Sequence, residues 1–211
     1  MLREDIKAFI NTIPKDVTIV AATKYVDSSD MLDLYNAGIT NFGENRTDAF
    51  IDKYNQLFEY DITWHFIGHL QKNKAKDIIN KIDYLHSLDS LELAKIIDKN
   101  RKTPLKVFIE VSVNLEENKN GVAYFKLNDF YQELLQYKNI EVVGLMMMAI
   151  KQDDDVHLEK QFNKLNELRC ELENKFNKKL PYLSMGMSDD YKIALKCGAT
   201  HIRLGRILWK N

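Results

Sequence analysis

Short apolar, β-branched runs alternate with helix-period segments about eight times along this chain, and that beat constrains its fold more than any other feature. The apolar runs are Val17 to Lys24, Ile39 to Phe42, Ile62 to Ile67, Tyr84 to Ser87, Leu105 to Val113, Glu141 to Ala149, Pro181 to Met185 and Thr200 to Leu204. Between them, helices are expected from Ser28 or Ser29 to Asn36, Thr47 to Phe58 and Asn73 to Ile82, and from Asp89 or Ser90 to Arg101. Three more are expected from Asn128 to Tyr137, Asp153 to Phe176 and Ser188 to Gly198. An additional helix is expected over 2–13, where Pro14 ends it. Sustained βα alternation implies a parallel sheet with helical crossovers, and eight such units close into a barrel. The predicted fold is α/β, a single (β/α)8 TIM-type barrel over residues 1–211. No Pro/Gly/Ser-rich linker divides it. The last run lacks a following helix, and the segment at 2–13 is expected to cover that seam. An open doubly wound sheet is the alternative.

Composition narrows the function classes. With 30 basic and 31 acidic residues, the net charge is −1. No basic excess points to nucleic acid or to a membrane surface. No apolar run approaches a membrane span, and Met1 to Thr12 lacks the apolar core of a signal peptide. Cys170 and Cys197 are the only cysteines, too few for a disulfide framework, so a reducing compartment is expected. The expectation is a cytoplasmic protein, a monomer, with no nucleic-acid and no membrane partner.

Lys24 ends the first apolar run. An ammonium at the tip of a core strand must reach water, find a partner or give up its charge. Barrel active faces lie at the carboxyl ends of the strands. A lysine partly desolvated there can attack an aldehyde to form a Schiff base; the plainer reading is a lysine that extends to solvent. Ser188 at an expected helix start and Gly205 after the last strand fall in the last two βα connections. Barrel phosphate sites commonly form there. Taken singly, each is also an ordinary N-cap serine or turn glycine. Arg203, two residues before Gly205, either points into the site or forms a structural ion pair. A fixed cation facing a heteroaromatic nitrogen would keep that nitrogen unprotonated.

Other signals are weaker. His65 and His69 are four residues apart, as zinc ligands on a helix are, but Trp64 to Ile67 reads as strand and Gly68 breaks any helix. No metal site is expected. Asp153 to Asp155 reads as a solvated helix start, and Lys72, Lys74 and Lys76 as a solvated face.

Several motifs, in order, resemble one family. They are Lys24 after its strand, Asn41-Phe42-Gly43-Glu44-Asn45, Trp64 to Lys74, and His86-Ser87-Leu88-Asp89. Glu116 to Gly121, Gly144 to Met148 and the stretch from Ser184 to Arg206 complete the set. Together they resemble the pyridoxal phosphate homeostasis proteins, which look like a free-standing alanine-racemase barrel. The likeness runs from about Val17 to Leu208. It implies that Lys24 holds pyridoxal 5'-phosphate (PLP) as a Schiff base. It also implies that Ser188 with the amides of Gly205 and Arg206 binds the phosphate, and that Arg203 faces the pyridine nitrogen. Arg206 stands where the family usually has a small hydroxyl residue, so a backbone contact is implied there, not a hydroxyl one. Ser112 stands where the family often has asparagine.

The implied function is cofactor homeostasis without turnover: PLP held on Lys24 and released, with apo-enzymes as acceptors. No catalytic residue is assigned. The rival is a PLP-dependent amino-acid racemase-like enzyme, which needs a second base from an extra domain, and the eight units leave no stretch for one. A Schiff-base aldolase on the same barrel is a further rival, since fold does not fix function.

Overall fold

The eight expected apolar runs all form parallel strands, and these close on themselves. The structure is a computed structural model and describes residues 1–114, 120–150 and 154–209. The barrel strands are β1 (Thr18–Ala22), β2 (Asn41–Glu44), β3 (Thr63–Phe66), β4 (Tyr84–Leu88) and β5 (Leu105–Ser112). A two-residue strand β6 (Val122–Ala123) lies outside the ring and pairs with the end of β5. The ring continues with β7 (Ile140–Met146), β8 (Tyr182–Met187) and β9 (His201–Leu204). β9 pairs with β1 and β4 pairs with β5, so all eight ring strands are paired on both sides. A parallel strand covered on both faces needs near-continuous apolar sequence, which is what β5 supplies.

Helices α1 (Ile6–Asn11), α2 (Ser28–Asn36), α3 (Thr47–Leu57), α4 (Ala75–Ile78), α5 (Leu91–Asn100), α6 (Leu127–Leu134), α7 (Asp155–Phe176) and α8 (Tyr191–Lys196) accompany the strands. The main core lies between these helices and the barrel, with Phe42, Phe50, Phe66 and Phe162 fully buried. α1 meets α8 through an edge-on contact of Phe9 with Tyr191. The residues before it bridge to the other end of the chain, Leu2 to Trp209 and Arg3 N to Leu208 O. The first helix therefore starts later than the expected residue 2.

Four other expectations change. α4 is shorter than 73–82 because i→i−3 bonds tighten both of its ends, Lys74 N to Gln71 O and Lys81 N to Ile78 O, while Arg101 donates to the free carbonyls of Ile79 and Ile82 beyond it. α2 is capped by Asp27, whose carboxylate accepts from Asp30 N at 2.9 Å, and Ser28 is already helical. α6 starts at Leu127 after a short 3-10 turn, so Asn128 is not its cap. α8 starts at Tyr191, because Asp190 accepts from Met187 N at 2.6 Å and closes a turn over the residues expected to be helical. Part of the polar loop after the fifth strand, residues 115–119, lies outside the described residues, as do Asp153 and residues 210 and 211.

Two glycines are required by packing. A Cβ on Gly144 would stand 1.8 Å from the carbonyl oxygen of Tyr182, so β7 and β8 can pair this closely only there. Gly121 has φ +113° and lies against the backbone of Val111 and Ser112, which lets β6 reach β5.

The barrel interior is aromatic and polar rather than filled with branched aliphatics. His65 stacks on Tyr84 at 4.7 Å, His86 lies 4.4 Å from Phe108, and Tyr182 meets His201 edge-on at 4.9 Å. His65, His86 and His201 are all buried.

Candidate functional site

Strand pairing brings the expected site residues to one end of the barrel. Ala21 pairs with Leu204 and Met187 with Arg203, so the carboxyl ends of β1, β9 and β8 are neighbours. Lys24 follows β1, Arg203 is on β9, and Gly205 and Ser188 follow β9 and β8. An added Cβ at Gly205 would stand 3.7 Å from Ala22, which places that loop beside the end of β1.

Of the two readings of Lys24, the structure has the plainer one, a lysine that extends to solvent. It occupies a turn, its side chain is exposed, and its Nζ lies 4.7 Å from the centroid of the Tyr25 ring. Its backbone is held firmly: Thr23 O accepts from Val26 N at 3.1 Å, closing a turn with Lys24 and Tyr25 at its centre.

Ser188 is not at a helix start. Its Oγ accepts from the amides of Gly205 at 3.2 Å and Ile207 at 3.4 Å, so the hydroxyl stitches the last two connections together. Arg206 turns its guanidinium to Asp189 at 2.6 Å, and both side chains are exposed.

Arg203 is buried beneath these loops. It donates from Nη1 to Ser184 Oγ at 2.7 Å and from Nη2 to Met147 O at 2.9 Å. Burial pushes its pKa down to about 10, while Glu110 and Asp190 act to hold it up. It stays a cation at neutral pH, fixed by its partners.

Ser184 begins a polar chain through the barrel that sequence reading missed. His86 Nδ1 meets Ser184 Oγ at 2.8 Å, His65 Nδ1 meets His86 Nε2 at 2.8 Å, and His65 Nε2 meets Asn41 Oδ1 at 2.9 Å. The proton assignment follows from the two ends. Arg203 can only donate and Asn41 Oδ1 can only accept. His65 therefore carries its proton on Nε2, His86 on Nε2, and Ser184 donates to His86. Both imidazoles are neutral, and burial holds both well below the usual histidine range, with the titratable neighbour His201 acting in the same direction on both and Arg203 on His86. His201 is lowered to about 4 by burial and then by Arg203. The available signal was parity: Tyr84 and His86, like Tyr182 and Ser184, are two apart on a strand and share a face.

Two further features were also missed. Glu110 on β5 is buried, and its pKa rises to about 7 through burial and Asp89, opposed by Arg203. Lys53 on α3 is buried with Glu44 of β2. Phe50, Lys53 and Leu57 share the core-facing stripe of that helix, which is the signal for Lys53. His65 and His69 do not converge: His69 faces Asp89 at 3.4 Å on the surface, while His65 is inside the barrel.

The closed parallel barrel with a lysine after its first strand belongs to the class of the alanine racemase N-terminal domain, a family whose pattern matches residues 2–211. The chain belongs more particularly to the pyridoxal phosphate homeostasis protein family. It is 39% identical over 194 residues to the pyridoxal phosphate homeostasis protein of Aquifex aeolicus, covering 90% of this chain and 85% of that one. With the Synechocystis protein of the same name it shares 36% over 205 residues, covering 95% and 94%. The solved structure of PipY from Synechococcus elongatus with PLP bound superposes with a TM-score of 0.91 at 30% identity, covering 98% of this chain and 99% of that one. Alanine racemase of Clostridium difficile, at 17% identity, shares the fold with a TM-score of 0.83 over 58% of its own length.

Proposed function

We propose that this chain binds PLP at the ends of β1, β8 and β9 and serves intracellular homeostasis of that cofactor, as a single barrel domain over residues 1–211. One observation carries the reading: Lys24, the Arg203 guanidinium and the Ser188–Gly205 loop pair lie on three adjacent strands. The donor set fits the group. There is one amine for an aldehyde, one buried cation for a ring nitrogen, and a hydroxyl with backbone amides for a phosphate, and nothing nearer than Ala22 at 3.7 Å crowds the Gly205 side of the loop. When bound, the cofactor supplies an aldehyde for a reversible Schiff base and an aromatic ring that can accept electrons.

The protein's own groups then have distinct tasks. Lys24 supplies the amine on a turn whose backbone is fixed. Ser188 and the amides of Gly205 and Arg206 would take the phosphate oxygens, the Gly205 amide giving up its bond to Ser188 Oγ to do so. Arg203 would set a fixed positive charge toward the ring nitrogen, which would disfavour a proton there and so weaken the ring as an electron sink.

That restraint favours a carrier over an enzyme, as do the names of the relatives, which are homeostasis proteins. The carrier is cytoplasmic and monomeric in this reading, and releases PLP to apo-enzymes. No helix among the described residues is long and apolar enough to cross a membrane.

Borohydride treatment of the PLP-loaded protein, followed by peptide mapping, tests the reading. One pyridoxyl group should appear on Lys24. Label only on other lysines, with Lys24→Ala still yellow, contradicts it. Incubation with L-alanine and chiral chromatography tests the carrier role, and D-isomer formation at enzyme-like rates of about 1–1000 per second would make the chain an enzyme.

A further inference from the structure

Lys53 is a lysine in a core position. It is 8% exposed, on the stripe of α3 that buries Phe50 and Leu57. Its ammonium pairs with Glu44, which is fully buried, and donates to the carbonyl oxygen of Thr23 at 2.6 Å. Thr23 is the residue before Lys24. That same carbonyl accepts Val26 N and closes the turn that carries Lys24.

The rest of Thr23 is held from the same side. Its amide donates to Gly43 O at 3.0 Å. Its hydroxyl contacts Glu44 Oε1 at 2.9 Å and Gly43 O at 3.3 Å. Glu44 Oε2 accepts from Asn45 N at 3.1 Å, which fixes the carboxylate in turn. Every polar group of Thr23 is therefore tied to β2, α3 or its own turn.

A buried ion pair is a poor way merely to seat a helix. Desolvating both charges costs several kcal/mol per ion, and a hydrophobic pair of similar volume often does as well or better. An apolar side chain at position 53 cannot hold a carbonyl, whereas an ammonium with three donors can serve carboxylate and carbonyl together.

We infer that Glu44 and Lys53 form a positioning clamp for Lys24, and this rests on the reading that Lys24 carries the cofactor. Lys24 itself has a long, exposed, flexible stem. The reach of its amine is defined only as well as its backbone is defined. The clamp fixes the peptide between residues 23 and 24, so less freedom remains to be lost when the amine meets the aldehyde.

The test compares the full-length protein with Glu44→Gln/Lys53→Met, which removes both charges together so that neither is left buried alone. Two quantities are measured: amide hydrogen exchange of Val26 in the protein without cofactor, and the rate at which added PLP becomes borohydride-trapped on Lys24. The double variant should exchange Val26 about tenfold faster, the effect of losing roughly one hydrogen bond. Trapping on Lys24 should slow by a similar factor, while strand amides such as that of Phe108 keep their protection. Unchanged Val26 exchange with unchanged trapping sinks the clamp. So does a wild-type Val26 amide that exchanges as fast as a free peptide, a result that needs no variant. Failure of the wild type to trap PLP on Lys24 at all instead overturns the Schiff-base reading, and the clamp's role falls with it.

Discussion

The guanidinium of Arg203 and the hydroxyl of Ser184 are 2.7 Å apart, and the serine hydroxyl in turn donates to Nδ1 of His86. A cation at the candidate site is thereby connected through His86 and His65 to Asn41 on β2. The donor-only guanidinium at one end and the accepting Asn41 Oδ1 at the other set the direction of every link between them.

Ser184→Ala should break this chain at its first link. Arg203 loses an acceptor and His86 a donor, both buried. The loss of a hydrogen bond to a charged group costs about 1.5–3 kcal/mol. Urea unfolding at neutral pH measures it, and a midpoint equal to wild type would show that the chain contributes nothing to stability.

The buried histidines should make the protein acid-labile. His201 is lowered to about 4, and burial holds His65 and His86 well below the usual histidine range. An unfolded histidine takes up a proton near pH 6.5 and the folded ones refuse it, so their contribution is complete above that pH. It declines as pH falls from 6.5 toward 4. Unfolding at pH 5.5 should take up proton equivalents that vanish by pH 8, as read by titration in unbuffered urea.

Glu110 should act in the opposite direction. Its folded pKa of about 7 lies above the usual 4.5, so its contribution is complete below 4.5 and lost as pH rises through 7. The span corresponds to roughly 3 kcal/mol. In Glu110→Gln that loss between pH 5 and pH 8 should disappear. Parallel stability profiles for variant and wild type would place the proton elsewhere.

Ser188→Ala tests the phosphate loop. Its hydroxyl joins the amides of Gly205 and Ile207. Removal should weaken PLP by about 1.5–3 kcal/mol, the scale of one hydrogen bond to a charged group, and leave pyridoxal without phosphate unaffected. Fluorescence titration with both aldehydes gives the comparison; equal weakening of the two would move the phosphate away from this loop.

Gly144→Ala should disrupt the barrel itself, since the added methyl would sit 1.8 Å from Tyr182 O. Backbone cannot yield as a flexible side chain does, so the cost is about 3 kcal/mol or more. A thermal midpoint within a degree or two of wild type would mean that β7 and β8 separate easily.

The strand–helix order was legible because it is written in local periodicity. Val17 to Lys24 or Leu105 to Val113 can be read without knowing what they touch, since a strand buried on both faces must be apolar along its length. Lys24, Ser188, Arg203, Gly205 and Arg206 were legible as positions, through their places after strands and through the family likeness. Their geometry was not. Ser188 was expected to cap a helix, but Asp190 closes a turn first and frees the serine for Gly205.

Taken alone, the amino-acid order determined eight βα units, a parallel sheet, and a lysine at the end of the first strand. It determined them because backbone preference and apolar spacing act over a few residues. The expected closure is made by one contact that no local pattern shows, β9 finding β1 across the whole chain. Tertiary structure alone decided that His86 meets Ser184 ninety-eight residues later, and that Lys53 reaches back thirty residues to the carbonyl before Lys24. Those contacts join residues with no periodic relation. A buried polar side chain shows its partner only when the strands that carry both have been packed together.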